Sequence, residues 1–588
     1  MPFTPRILAL LLSPLVLAAQ PDWVTRSNAL AQPVLQISGQ FNPEFGSYLG
    51  QEEFDTQVVD QKPGRYERHQ AAFAAELDKL KALRAQEQDP HVQEDLDIMI
   101  DATSKGLATA KLNHDVLLEY VNVSQDVFFG MNGLLDARNK PERQARALIR
   151  LKRYAGMEKG YTPIAELARA AQEQELARSG LVGPYVEDVK QQLDNTDAYL
   201  KGIREQLIKD KIKGWEGPYA TLSKQLHDYD AWTRANVLPR TRQEARQPDV
   251  IYADNLKQMG VDIAPDELIA RATADFLEVR DQIRTVATQL ATQQHLPSAD
   301  YRDVIRHYKE TQIAPEAVLP LYWKRLHDIE AIIRREHLIT LPDRQANIRI
   351  ATDAEAAQTP APQMQPPRLI GNTGEYGEFI IPLTNPHAKS AARLDDFTNE
   401  PVTWTLAAHE ARPGHELQFA SMVERGASQA RAIFAMNSAN VEGWAVYCEA
   451  MMLPYMPPEG QLFSLQERLH RVARAFLDPM VNLGRITPDE AKKFLMDEVV
   501  LSEPMAQQEI DRYAFTGPGQ ATSYYYGYMN MRSLRLQTEI ALGQRFNLQA
   551  FNDFVIGQGL LPPKLLQQAV MKDFIPAQLA APKALAQN

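Results

Sequence analysis

A chain of 588 residues with 44% hydrophobic and 23% charged side chains has ordinary globular composition, and its length allows roughly two or three lobes with substantial cores. The net charge of −12 argues against nucleic acid as the natural partner, since an acidic surface repels a phosphate backbone. The only cysteine, Cys448, excludes an intramolecular disulfide.

The N-terminus MPFTPRILALLLSPLVLAAQPDW carries one positive charge, Arg6, then an apolar run from Ile7 to Ala19 with small residues at its end. This is the pattern of a secretory signal peptide over residues 1–19, cleaved near Ala18 or Ala19, and the run is short for a membrane span of about 20 residues. No cysteine follows it, so a lipid anchor is not expected, and a cysteine-poor exported chain points to the periplasm. The alternative is an uncleaved interfacial anchor. No membrane span is expected in the mature chain, whose residues 20–40 read as a leader.

From residue 41 to 350 the chain reads as a helical N-terminal lobe. Stretches such as ERHQAAFAAELDKLKALRAQEQ and DELIARATADFLEVRDQIRTVATQL repeat apolar residues at three and four, with Asp266 as a candidate N-cap. Residues 351–370, rich in Pro, Gln and Ala, predict an extended connector. Residues 371–588 then read as a β element followed by a helical metal-site region, forming one catalytic unit with residues 41–350. Gly371, Gly374 and Gly377 mark a hairpin leading into Phe379 to Leu383, the one clear strand signal. Such a strand is expected to align an extended peptide by β-augmentation.

Helices resume after Pro401, where PVTWTLAAHEARPGHELQF contains His409, Glu410 and His415. Two imidazoles beside a carboxylate are the set that holds zinc and activates water. The familiar zinc helix spaces its histidines at i and i+4. An i, i+6 spacing on a straight helix separates them by about 120° and about 9 Å along the axis, too far to share an ion. Pro413 and Gly414 supply a point at which the helix can bulge and resume, returning His415 towards the first histidine. The alternative is a helix that ends at Arg412 and leaves His415 in an exposed turn.

A catalytic zinc needs three protein ligands and one open position. The helix SANVEGWAVYCEAMM offers Glu442 and Glu449, seven apart and on roughly one face. Glu442 beside Gly443 is the better ligand candidate, and Glu449 the carboxylate that orients a histidine. Each taken alone is more often a solvated helix residue. Tyr524, Tyr525, Tyr526 and Tyr528 offer a hydroxyl for a developing oxyanion, although aromatic stripes usually serve packing. Cys448, inside a helix, reads as buried packing rather than a nucleophile. Arg512 could bind a peptide carboxylate or anchor the turn that follows it.

HEARPGH, EGWAVYCE and RYAFTGPGQATSY resemble the three signature blocks of a bacterial secreted family catalogued as domain of unknown function 885, and FNPEFGSYLG resembles its start. That family is similar to the mostly helical gluzincin peptidases that include neurolysin, angiotensin-converting enzyme and the thermostable carboxypeptidases. The resemblance implies a mostly α, two-lobed metallopeptidase-like fold with a central cleft and a small β element beside the metal helix. It also implies one Zn2+ held by His409, His415 and Glu442, with Glu410 as general base. For the oxyanion tyrosine, Tyr524 follows the family's own block best, while Tyr525 and Tyr528 align with the Tyr-Tyr-Gly-Tyr run of neurolysin-like enzymes. The chain departs from many relatives after Asp478, with Val481-Asn482 and Arg485-Ile486 where they carry Leu-His and Gly-Trp, which bears on specificity. The expected function is zinc-dependent hydrolysis of peptide bonds in peptides or oligopeptides. The alternative is a non-catalytic helical peptide-binding protein that keeps the fold.

Overall fold

The computed structural model describes residues 21–383 and 395–581, and the signal-peptide reading of residues 1–19 lies outside the described residues. Helix α1 (Asp22–Phe41) covers the segment read as a leader. Its buried Ala31, Val34 and Leu35 recur at the helical period and join Val92, Leu96 and Met99 of α2 (Pro90–Val116) in one cluster. The Asp89 side chain caps α2 by accepting from the His91 N–H.

Two larger cores define two lobes. The first gathers Val127, Phe128 and Met131 of α3 (Val123–Leu134), Tyr199, Ile203 and Leu207 of α4 (Val186–Lys209), and Leu222, Leu226 and Tyr229 of α5 (Glu216–Asn236). The second takes in Ile98 of α2 and residues from Ala245 to Ile575. It holds α6 (Pro265–Gln294), α7 (Pro315–Glu336), α8 (His415–Glu424), α9 (Ser438–Met452), α10 (Pro458–Asn482), α11 (Glu503–Asp511) and α12 (Thr522–Leu542).

This division differs from a lobe boundary at residue 350. Leu268, Ala272, Phe276, Val279 and Ile283 form an apolar stripe on α6, and it is buried in the second core, with Phe276 edge-on to Phe476 of α10 at 5.6 Å. Amphipathic period identifies such a stripe but not the partner that covers it. The N-cap of α6 is Ala264, so Asp266 sits in the first turn instead, where it pairs with Arg485 at 2.5 Å.

The β element is a three-stranded sheet in the order β1-β3-β2, formed by β1 (Asn347–Ile350), β2 (Gln363–Gln365) and β3 (Glu378–Ile381). The segment read as an extended connector contains β2 and a short helix, Asp353–Gln358, started by a capping box between Thr352 and Glu355. The hairpin expectation holds, since β2 and β3 pair antiparallel with Met364 opposite Phe379. The expectation that the Phe379 strand aligns a peptide does not hold. Strand β3 is central, hydrogen-bonded to β2 on one side and parallel to β1 on the other, and Phe379, Ile380 and Ile381 are buried. A continuous apolar run is the signature of such an enclosed strand. Among the described residues the outer strands are β1 and β2, and β2 lies beside the histidine segment. Among the described residues no helix is long and apolar enough to cross a membrane.

Candidate metal centre

The helix entering the site, Thr403–Leu406, widens into a π turn at Ala407–Ala411 that carries His409 and Glu410. The chain leaves helical geometry at Arg412, and α8 restarts at His415. The extra residue of a π turn and the Pro-Gly break together absorb the i, i+6 spacing. His415 is therefore buried at the first position of a new helix, not in an exposed turn.

The break is held on both sides. Arg412, fully buried, donates to Glu416 at 2.8 Å, to Glu330 at 2.5 Å and to the Arg344 carbonyl at 3.0 Å, and Arg344 pairs with Glu416 at 2.6 Å. Trp444 of α9 donates its indole N–H to the Pro413 carbonyl at 3.0 Å. At Gly414 a Cβ would stand 1.8 Å from the His409 carbonyl oxygen, so only glycine permits this approach.

The result brings three donors together. His409 and His415 meet edge to face with ring centres 4.8 Å apart, and their Nε2 atoms lie 3.5 and 3.4 Å from Glu442 Oε2. Donors bonded to one tetrahedral ion at about 2.0–2.1 Å stand about 3.3 Å apart, so these two spacings fit an ion. Among the described residues this is the one group of three or more potential ligands within 4.8 Å of one another. Glu442 Oε2 is buried without a hydrogen-bond partner, while its Oε1 accepts from Gln520 at 3.3 Å. A carboxylate oxygen desolvated between two imidazoles and lacking a donor is costly, and a cation there would satisfy it.

Second contacts orient the donors. Glu449 Oε1 takes His409 Nδ1 at 2.6 Å, which turns Nε2 towards Glu442, and Thr405 donates to the other Glu449 oxygen at 3.1 Å. Burial disfavours charge on His409, but the carboxylates of Glu442 and Glu449 outweigh it and push the imidazole up to about 9. Burial also disfavours the Glu442 carboxylate, yet the two imidazoles hold it well below the usual carboxylate range. Glu410 behaves in the opposite way. Burial pushes its carboxyl up, the imidazoles oppose this, and its Oε1 stands 3.9 Å from His409 Nε2.

Residues 43–570 match the family model described as bacterial protein of unknown function, DUF885. The chain belongs to this family. No curated protein matches it. Among solved structures it is similar to a candidate lipoprotein from Colwellia psychrerythraea, with a TM-score of 0.76 at 18% identity over 94% of this chain and 99% of that one. It is also similar to a candidate lipoprotein of unknown function from Shewanella oneidensis, with a TM-score of 0.72 at 18% identity over 94% of this chain and 100% of that one. At that identity the likeness establishes the mostly α fold shared with these two structures, and nothing finer.

In this DUF885 member the tyrosines separate. Tyr524 stacks on His409 with ring centres 6.1 Å apart, and burial keeps its hydroxyl protonated. Tyr525 donates to Asp275 at 2.7 Å, and Tyr526 bonds Asp262. Tyr528 lies between the guanidinium groups of Arg468 and Arg532, each 5.5 Å from its ring centre. Cys448 is buried and its thiol is pushed well up by burial, as a packing residue requires. Sequence reasoning missed Gln520, Arg412 and Arg471, whose guanidinium stands 3.5 Å from Glu449. The Pro-Gly-Gln block drew attention to its tyrosines, and neither Arg412 at the helix break nor Arg471 within a helix carries a local sign of burial.

Proposed function

We propose that this protein is a zinc-dependent peptidase, with one ion bound by His409, His415 and Glu442. The observation that carries the reading is the Glu442 oxygen, buried and without a hydrogen bond between two imidazole nitrogens. An ion bound there supplies Lewis acidity for a water and a scissile carbonyl. Glu410 serves as the base that takes a proton from the attacking water and delivers it to the leaving amine. Its burial raises its proton affinity towards the range such a relay needs. Tyr524, protonated and stacked against His409, is the donor assigned to the developing oxyanion in preference to Tyr528. The edge strand β2, beside the π turn, is the segment assigned to the peptide backbone.

The test combines metal content with turnover. Protein purified without chelator should contain one zinc per chain and cleave a peptide library, a chelator should stop cleavage, and Glu410→Gln should keep the zinc while losing at least about 10³-fold in rate. Zinc binding with no cleavage of any library member by the wild type would favour a peptide-binding protein that retains the fold. We also infer export to the periplasm from the N-terminal sequence, in line with the lipoprotein descriptions of both similar structures. Fractionation of expressing cells tests it, and a cytoplasmic, full-length product would refute it.

A further inference from the structure

Helix α10 presents Arg468, Arg471 and Arg474 at three-residue spacing towards α12, an arrangement that zinc chemistry does not use. The guanidinium carbons of Arg471, Arg474 and Arg512 stand 5.4, 4.5 and 5.8 Å from the centre of the Tyr524 ring, whose other neighbour is His409. The nearby carboxylates do not use all three cations. Glu509 takes Arg474 in a two-pronged pair at 2.7 and 2.6 Å. Glu467 takes Arg471. Arg512 is left with a 3.6 Å approach to the already engaged Glu509, and its buried Nη1 makes no hydrogen bond, nor does the buried Nε of Arg471. Arg471 also approaches Glu449 at 3.5 Å, so Arg512 is the one of the three guanidinium groups without a hydrogen-bonded carboxylate.

Of the three, Arg512 borders open space. A cavity of about 470 Å³ lies between α4 of the first lobe and α11 of the second, and Arg512, Gln508 and Gln520 form part of its wall, which also carries the acids Asp188, Asp511 and Glu503, the last paired with Lys492. Gln520 is the residue that donates to Glu442, so one wall of the cavity reaches the metal carboxylate and also carries the uncommitted arginine. Across it stand the amides of Gln191, Gln192 and Asn195, of which Gln191 donates to Asp511 and Gln192 to Asp188, leaving their oxygens to accept from a peptide backbone. The oxygens of Gln192 and Gln508 are buried without partners.

We propose that Arg512, backed by Arg471, binds a carboxylate of the substrate, so that the site takes acid-bearing peptides lying in this cavity. The carboxylate comes from the peptide's C-terminus or from an Asp or Glu side chain. A planar guanidinium with free N–H groups in a partly desolvated wall matches a carboxylate in charge and geometry. The proposal rests on the peptidase reading for its substrate, but binding tests it without turnover.

The experiment uses the full mature chain as purified, carrying Glu410→Gln, and measures binding of three pentapeptide libraries by calorimetry. One library has free C-termini, one is C-terminally amidated and lacks Asp and Glu, and one is amidated with a fixed Glu. At least one carboxylate-bearing library is expected to bind about tenfold or more tightly than the neutral one. Arg512→Gln should bring it down to the neutral level and leave neutral binding unchanged, and Arg512→Lys should restore part of the preference. The winning library identifies the source of the carboxylate. Equal binding of all three overturns the proposal, as does no binding of any, or an Arg512→Gln variant that weakens the three alike. The comparison among libraries stands on unsubstituted Arg512, so a misfolded variant does not remove the test. Hydrolysis is read separately on wild type. Cleavage without acid preference sinks the carboxylate subsite alone, and acid preference without cleavage sinks the peptidase reading alone.

Discussion

At Glu442 the cost of burial and the opportunity for chemistry coincide. Replacing it with Gln, or His409 with Ala, should abolish stoichiometric zinc, measured by elemental analysis after dialysis against metal-free buffer. Glu449→Gln is a subtler change. It keeps a hydrogen-bond acceptor for His409 Nδ1 but removes the charge, and zinc affinity should fall about 10- to 100-fold in a chelator competition. An unchanged affinity would mean that Glu449 only packs. The convergence of His409, His415 and Glu442 was legible in the sequence because the two histidines sit within seven residues and Glu442 follows on the next long helix. The anchors of the break were not, because Arg412 meets Glu330 and Arg344 from 82 and 68 residues away, and nothing local announces those pairs.

Two close backbone approaches fix how the elements meet. Gly414→Ala would put a methyl group against the His409 and Ala408 carbonyls, at 1.8 and 2.5 Å, and neither is the end of a flexible side chain. The variant should lose about 3 kcal/mol or more in denaturant unfolding and bind zinc substoichiometrically, because relief requires His415 to move. Helices α9 and α12 touch at Gly443 and Gly527, where a Cβ on Gly527 would come 1.9 Å from the Ala439 carbonyl oxygen. The long helices were readable from their period, as was a strand near Phe379. The centrality of that strand was not, since β1 and β2 lie up to 31 residues upstream and pair through backbone groups that any sequence possesses.

On the scale of the molecule, the first lobe carries buried acids that resist ionisation. Burial pushes Asp126 up to about 7, with Glu44 adding to the rise, and pushes Asp188 and Asp230 up to about 6. Each folded-state value is above the ordinary aspartate value of about 3.9, so the folded chain holds protons that the unfolded chain has released. Stability of this lobe should therefore be greatest below about pH 4 with respect to these groups and decline as pH rises to about 7. Asp126→Asn should raise unfolding stability at pH 8 by about 1–3 kcal/mol and change it little at pH 4, at about 1.4 kcal/mol per unit less solvent screening. Zinc should act on the other lobe. Free zinc at about 1,000 times its dissociation constant adds about 4 kcal/mol, so a chelator should lower the melting transition of that lobe.

The glycine contact between α9 and α12 also bears on how the site is reached. Glu442 precedes Gly443 and Tyr524 is three residues before Gly527, so the proposed metal ligand and the proposed oxyanion donor ride on two helices whose main chains touch at these glycines. They form one stiff piece. The cavity that leads to them runs instead between lobes, its walls on α4 and α11. The entrance is therefore shared by the two lobes, whereas α9 and α12 both belong to the second core.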